Sequence, residues 1–294
     1  MTKAIRNLLF LMFFAALTAA CGGSSGGGVT TGGGGDTPPP GDPPPPPVAD
    51  VALEDLDGLW VGTFDRGADP TTGQPRIAVF ELTIEGGSIT FRLDGGAESD
   101  FTGPVTKATE APRVFRFVLT NRNNAQEISR GALFVDPTHT YMAFLNDGFR
   151  FGVLQRDAAA PLPTWEANDL NETWIGDTFT TESVSTGPAG TGFGDFTQTR
   201  SNAACTAATA NSSSCTGTVG DNSRSIPSIA LDAPAFGRWG PADYSDTPPS
   251  ATTQENGVTR IYLSPDKNFS GSWACTDFVG GFPATCDFST RTKQ

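Results

Sequence analysis

Five cysteines and one histidine are the residues of this 294-residue chain whose types could do chemistry beyond packing. Cys205, Cys215, Cys275 and Cys286 fall in its last third, while Cys21 stands alone near the start. No Cys-x-x-Cys spacing exists and His139 is the sole histidine, too few ligands for a zinc-type site. An even set of four cysteines in an exported chain reads as disulfides. Three pairings are open; Cys205 with Cys215 and Cys275 with Cys286 is preferred, because each closes a short loop. His139 ends Asp136-Pro-Thr-His139, a turn entering a strand. A Ser-His-Asp site would need it as the base, but its context is that of a solvated turn residue. Carboxylates are plentiful, yet no spacing singles out a pair for glycosidase-like work. Gly22-Gly-Ser-Ser-Gly26 matches Gly-x-Ser-x-Gly without the strand and helix of a nucleophile elbow. Gly190-Thr-Gly-Phe-Gly194 likewise lacks a phosphate loop's setting. No catalytic residue, metal or cofactor is expected, and the chain reads as a non-enzyme.

Cys21 belongs to a different chemistry. Lys3 and Arg6 precede an apolar run over residues 8–17, which is too short to span a bilayer and suits a signal peptide. Thr18, Ala19 and Ala20 follow, then Cys21 and a glycine tract. This stretch resembles the bacterial lipoprotein signal, with Leu17 four residues before the cysteine and Thr18 where leucine is usual. The resemblance implies removal of residues 1–20, diacylation of Cys21 and, because Gly22 is not aspartate, an outer-membrane address. Cleavage by the ordinary signal peptidase would instead leave a secreted chain with a free Cys21. Two acyl chains anchor stably where one is marginal.

The elements behind Cys21 begin with a spacer, expected to be disordered over residues 21–48. Residues 22–37 are Gly/Ser/Thr-rich and should coil over about 20–25 Å. Residues 38–47 hold eight prolines and should form a polyproline II rod of about 30 Å. The net charge is −13, and grows more negative once Lys3 and Arg6 are removed. That disfavours nucleic acid and anionic headgroups as partners; the membrane is reached through the lipid.

Two domains should follow, over residues 49–158 and 159–294. Short alternating runs at residues 59–64, 77–84, 88–93, 101–106, 114–119, 132–135, 141–145 and 149–154 predict eight antiparallel strands joined by tight turns, with no helical period. The fold class is therefore all-β, as barrels or sandwiches. The second half repeats the first. Asp55-Leu-Asp-Gly-Leu-Trp60-Val-Gly62 aligns with Asp169-Leu-Asn-Glu-Thr-Trp174-Ile-Gly176, and Leu133-Phe-Val-Asp-Pro137 with Ile261-Tyr-Leu-Ser-Pro265. Extra length falls chiefly in residues 183–214.

Gly58-Leu59-Trp60 ahead of eight strands resembles the opening of the lipocalin and calycin superfamily. There the Trp seals the closed end of a barrel, often beneath a basic residue of the last strand, which implies that role for Trp60 and Trp174 under Arg156 and Arg291. The second copy departs at Glu172, where the glycine should be. Two aromatic stretches are candidate binding loops: Phe278 and Phe282 between the last two cysteines, and Phe236, Trp239 and Tyr244 with Arg238 and Asp243. The leading expectation is an envelope-anchored module that binds a protein or small molecule. The alternatives are a lipocalin-like carrier of a small apolar ligand, or an envelope hydrolase using paired carboxylates.

Overall fold

The computed structural model describes residues 50–68, 75–147, 150–185, 191–247, 255–279 and 282–294. Cys21, the leader and the spacer lie outside them. Residues 47–294 form one compact unit.

Its first part is a meander. Strands β1 (Gly58–Ala68), β2 (Pro75–Glu85), β3 (Ser88–Leu93), β4 (Phe101–Lys107), β5 (Val114–Asn121), β6 (Asn124–Val135), β7 (Tyr141–Asn146) and β8 (Phe151–Arg156) pair antiparallel in chain order. β8 then pairs with β1, so the structure is a closed barrel rather than a sandwich. Alternation sends Phe64, Phe80, Phe117 and Phe144 inward, where their rings stack at 4.9 to 5.3 Å. With Leu82, Leu133, Met142 and Leu154 they fill the interior. An eight-stranded barrel is just wide enough to be filled this way.

The second part repeats the barrel. Its strands are β9 (Thr173–Ser185), β10 (Thr191–Phe193), β11 (Thr197–Thr209), β12 (Ser212–Val219), β13 (Asn222–Ala233), β14 (Arg238–Thr247), β15 (Glu255–Leu263), β16 (Phe269–Val279) and β17 (Phe282–Lys293). β17 pairs with β9 and closes eight strands, while β10 is an added strand hydrogen-bonded to residues 183–185 of β9. Cys205 and Cys215 are paired across β11 and β12, as preferred from the sequence. Closing so short a loop removes about 3 kcal/mol of unfolded-chain entropy. Cys286 is also disulfide-bonded, and strand register sets Cys275 directly opposite it.

Each barrel starts the same way. A 3-10 turn, Leu53–Leu56 or Ala167–Leu170, is closed by a backbone N–H donating to an aspartate three residues on, Ala52 to Asp55 and Glu166 to Asp169. Trp60 then donates its indole N–H to the Leu56 carbonyl at 2.9 Å, and Trp174 to that of Leu170 at 3.1 Å. Two residues further along, Gly62 and Gly176 occupy matching places. A Cβ at either would lie 1.8 or 2.0 Å from a carbonyl oxygen of the closing strand, so only glycine lets the strands meet there.

The barrels are joined by a core that belongs to both. From outside the first come Val114, Phe134, Ala143, Leu145, Phe151 and Val153; from outside the second come Phe179, Phe196, Tyr262, Phe269 and Phe288. The contacts are reciprocal under the repeat. Phe134 meets Phe288, and their counterparts Tyr262 and Phe151 meet in turn. Tyr141 stacks on its own counterpart Phe269 at 5.1 Å, and Phe151 on Phe288. The two copies therefore pack about a pseudo-twofold axis, like an isologous dimer made in one chain.

Polar contacts fix the same interface. Arg238 donates to Asp65 at 2.9 Å, and so does the Tyr262 hydroxyl. Burial beside that carboxylate pushes the Tyr262 phenol well above its usual range. Asp266 accepts from the Tyr141 hydroxyl at 2.5 Å, and its own backbone N–H donates to Gln155. Burial alone would raise the Asp266 carboxyl, but hydrogen bonds from Tyr141, Ser264 and Asn268 outweigh it and lower it. A carboxyl lowered on folding stabilises the fold above its unfolded value and loses that contribution as pH falls through the folded value. Asp266→Asn should therefore reduce stability at neutral pH and flatten the acid limb of stability against pH. Urea midpoints between pH 7 and pH 3 measure this; a mutant limb parallel to wild type would refute it.

Candidate functional site

The expected aromatic binding loop at residues 235–244 is not a loop that presents aromatics. Residues 238–247 are strand β14, and Trp239 and Tyr244 are buried inside the second barrel. A register shift between Trp239 and Ala242 lets both point inward. Phe236, in the turn before β14, is half-buried. Phe278 and Phe282 lie in β16 and β17, paired with Pro283 and Val279; their side chains lie outside the described residues. The described large apolar residues that are exposed are Leu59, Val118, Ile175 and Val258.

Trp60 and Trp174 are core plugs, as expected. Arg156 stands opposite Trp60 in register, with its guanidinium 5.4 Å from the ring, and donates to the carbonyls of Asp55 and Asp57. Arg291 does not do the same in the second copy. Lys293 is the residue opposite Trp174, and its ammonium pairs with Glu172 at 2.5 Å. Arg291 stands opposite Gly176, one inward position deeper.

That difference exposes the contrast between the copies. In the first barrel Leu154 faces Gly62 and Met142, and Gly152 faces Phe64 and Phe144. At the matching positions of the second, Arg291 faces Gly176 and Ser270, and Ser289 faces Thr178 and Ser272. Four large apolar groups, Phe64, Met142, Phe144 and Leu154, are thus replaced by Thr178, Ser270, Ser272 and Arg291. Near the closed end Trp174, Trp239, Ile261 and Leu263 still pack. Beside them is a partly open cavity of about 50 Å³ with mixed walls, apolar at Trp174, Ile226 and Ile261 and polar at Arg291, Ser270, Ser272, Ser289 and Arg224. A cavity of that size holds a few waters or one small group.

The far end of the barrel opens into a mouth of about 410 Å³ lined by Thr180, Thr199, Asp221, Asn222, Asp246 and neighbours. Arg224, Tyr244, Ala274 and Asp287 line both spaces. Arg224 donates from Nε and Nη2 to Asp246 at 3.0 and 2.6 Å, and also from Nη2 to Asp287. Thr180 donates to the other oxygen of Asp287 at 2.6 Å, and the Arg224 guanidinium lies 5.4 Å from the Tyr244 ring. Burial opposes the charge on Arg224, but Asp287 and Asp246 outweigh it and raise its pKa.

Arg224, Asp246, Asp287 and Arg291 carry this site; the sequence reading singled out only Arg291, and that as a cover for Trp174 at the closed end. A signal existed in β17, where Asp287, Ser289 and Arg291 take the inward face that holds Gly152 and Leu154 in β8. Aligning the last strands of the repeat would have shown a polar face turned into a barrel.

Elsewhere the chemistry is sparse. His139 is the turn residue expected, with its Nδ1 3.8 Å from Asp55. Among the described residues no group of His, Cys, Asp or Glu is placed to hold a metal ion. A wider depression at the closed end, lined by Glu166, Asn168, Asn171 and Asn211, brings together no second charged group.

The chain matches no protein-family model, and no curated protein sequence matches it. Among solved structures it is similar to a protein of unknown function from the DUF3598 family of Nostoc punctiforme, at 11% identity and TM-score 0.34, over 82% of this chain and 97% of that one. Transferrin binding protein B of Neisseria meningitidis aligns at 8% identity and TM-score 0.32, over 75% of this chain and 59% of that one. A candidate outer membrane protein of Bacteroides fragilis aligns at 10% identity and TM-score 0.29, over 82% and 99%.

Proposed function

We propose that the chain is a lipid-anchored binding protein of the cell envelope, held to the outer membrane through Cys21, that receives its ligand or partner at the mouth of the second barrel. The asymmetry between the copies carries this reading. One barrel is filled by its own phenylalanines and serves as scaffold; the other keeps a charged interior that opens outward. A duplicated fold that replaces four packing residues by hydroxyls and a guanidinium gives up core stability, and such concessions concentrate at functional sites. A lipocalin-like carrier of an apolar ligand is disfavoured, because ligand pockets run to about 300–1,000 Å³, whereas the inner cavity is about 50 Å³ and holds the Arg291 guanidinium. Hydrolysis by paired carboxylates is disfavoured too, since Asp246 and Asp287 both accept from Arg224.

Two measurements test the reading. Labelled palmitate should enter the wild-type chain and not Cys21→Ser; equal labelling removes the anchor from the proposal. A panel of small neutral and charged polar compounds should contain members that raise the thermal midpoint of wild type and leave Thr199→Trp, which fills the mouth, unmoved. No shift across the panel, or shifts that survive in Thr199→Trp, would count against the mouth as the site.

A further inference from the structure

Arg291 is 9% exposed, and among the described residues no carboxylate lies within ion-pair distance of it. Its Nε donates to Ser201 Oγ at 3.1 Å and its Nη1 to Ser272 Oγ at 3.4 Å. Nη2 has no acceptor among the described residues, and the residue lines the inner cavity. Guanidinium recognition favours two parallel N–H donors on one planar acceptor. A buried charge left without a counter-charge is costly.

We propose that Arg291 is the floor of a binding site for one monoanionic group, either a free small anion or the carboxylate of an organic ligand, admitted through the mouth of the second barrel. The proposal rests on the reading above only for the route of entry. Several observations converge on it. Arg291 replaces Leu154 of the first barrel, so the barrel architecture itself does not need the charge. Ser272, which lines the cavity, accepts from the guanidinium through oxygen, which leaves its hydroxyl proton free to donate to an anion. The cavity of about 50 Å³ has room for a carboxylate head or a halide. Burial, aided by repulsion from Arg224 and only partly offset by Asp287, lowers the Arg291 pKa to about 9. An anion on Nη2 would supply the missing counter-charge. The charged groups that face the space beyond Arg291 are Arg224, Asp221, Asp246 and Asp287, and the three carboxylates toward the entrance select against a dianion.

The test uses the full chain at fixed pH, sodium concentration and ionic strength. The reference anion is MES, a bulky sulfonate, and it is replaced in turn by chloride, formate and acetate. A bound anion should raise the thermal midpoint by about 2–4 °C. Arg291→Leu, which copies the first barrel, should lose that shift, and Arg291→Lys should keep part of it. A shift with chloride equal to that with the carboxylates identifies a free ion as the occupant; a shift confined to formate and acetate identifies a ligand's carboxylate. One midpoint in all four anions, or an undiminished shift in Arg291→Leu, overturns the proposal. If Arg291→Leu does not fold, crystals of wild type soaked in bromide decide the matter. An anomalous peak within hydrogen-bonding reach of Nη2, or acetate density there in a parallel acetate soak, supports the site, and the absence of both rejects it. Failure of every anion arm alongside Thr199→Trp-sensitive binding of neutral compounds would sink the anion site and leave the mouth standing.

Discussion

Phe134→Ala should lower stability by about 3–5 kcal/mol and split one unfolding transition into two. Phe134 is fully buried, yet it lies on the outside of its own barrel. Its ring meets Phe179 at 4.9 Å, Phe196 at 5.3 Å and Phe288 at 5.7 Å, all from the second copy. Truncation leaves a cavity that neither barrel can collapse into, because each wall is a hydrogen-bonded sheet. The second barrel should suffer more. Its interior holds Arg224, Arg291, Asp246 and several serines where the first holds phenylalanines, so it depends more on the shared core. The probes weight the copies differently: four of the five tryptophans, Trp165, Trp174, Trp239 and Trp273, lie in the second half and only Trp60 in the first, whereas circular dichroism reports both. In the mutant the tryptophan transition should precede the dichroism transition, while in wild type the two should coincide. Coincident curves in Phe134→Ala, or a loss below about 1 kcal/mol, would mean that the barrels are not held by this core.

How far the sequence anticipated this follows from what is local. Period-two alternation, turn glycines and the paired Trp-x-Gly motifs are short-range signals, and the strands, the two barrels and the plugs Trp60 and Trp174 were legible from them. The shared core was not, because what meets the outside of a strand is set by residues far along the chain. Its trace was present in residues 132–135, 142–145 and 151–154, where apolar residues run on without alternating, as in strands covered on both faces. Trp239 was misjudged for a related reason. Gly240 and Pro241 read as a loop, but they sit at an interruption of the β14–β15 ladder, where a strand tolerates both. The charged interior of the second barrel escaped because Arg291 was read against the closed end, and a slip of two residues kept it inward while moving it one layer deeper. Strand parity survives such a slip; depth does not.

Asp177→Asn should cost about 3–5 kcal/mol, and adding Arg113→Met with Asp177→Val in its place should restore most of it. Arg113, in the turn before β5, pairs with Asp177 of β9 across the two barrels, and both side chains are 2% exposed. Arg113 also donates to the Val135 carbonyl at 3.4 Å. Arg200, largely exposed, also lies 3.7 Å from Asp177, and Asp136 attracts Arg113, so removing Asp177 leaves Arg113 buried without its direct counter-charge, whereas removing both partners also removes the desolvation cost. Salt should change little, since a pair shut away from solvent is weakly screened. The contrast with Phe134 is the point of the experiment. The aromatic core supplies adhesion that area alone would give in several orientations, while a buried pair is satisfied in one. The pseudo-twofold counterpart of Asp177 is Thr63, so the pair has no image on the other side of the axis. The double variant should therefore keep near wild-type stability while loosening the register of the barrels. Amide exchange at residues 113–116 and 177–180 would rise relative to wild type at equal global stability. A double variant as unstable as Asp177→Asn alone would show the pair to be a net source of stability, and unchanged exchange would remove its role in orientation.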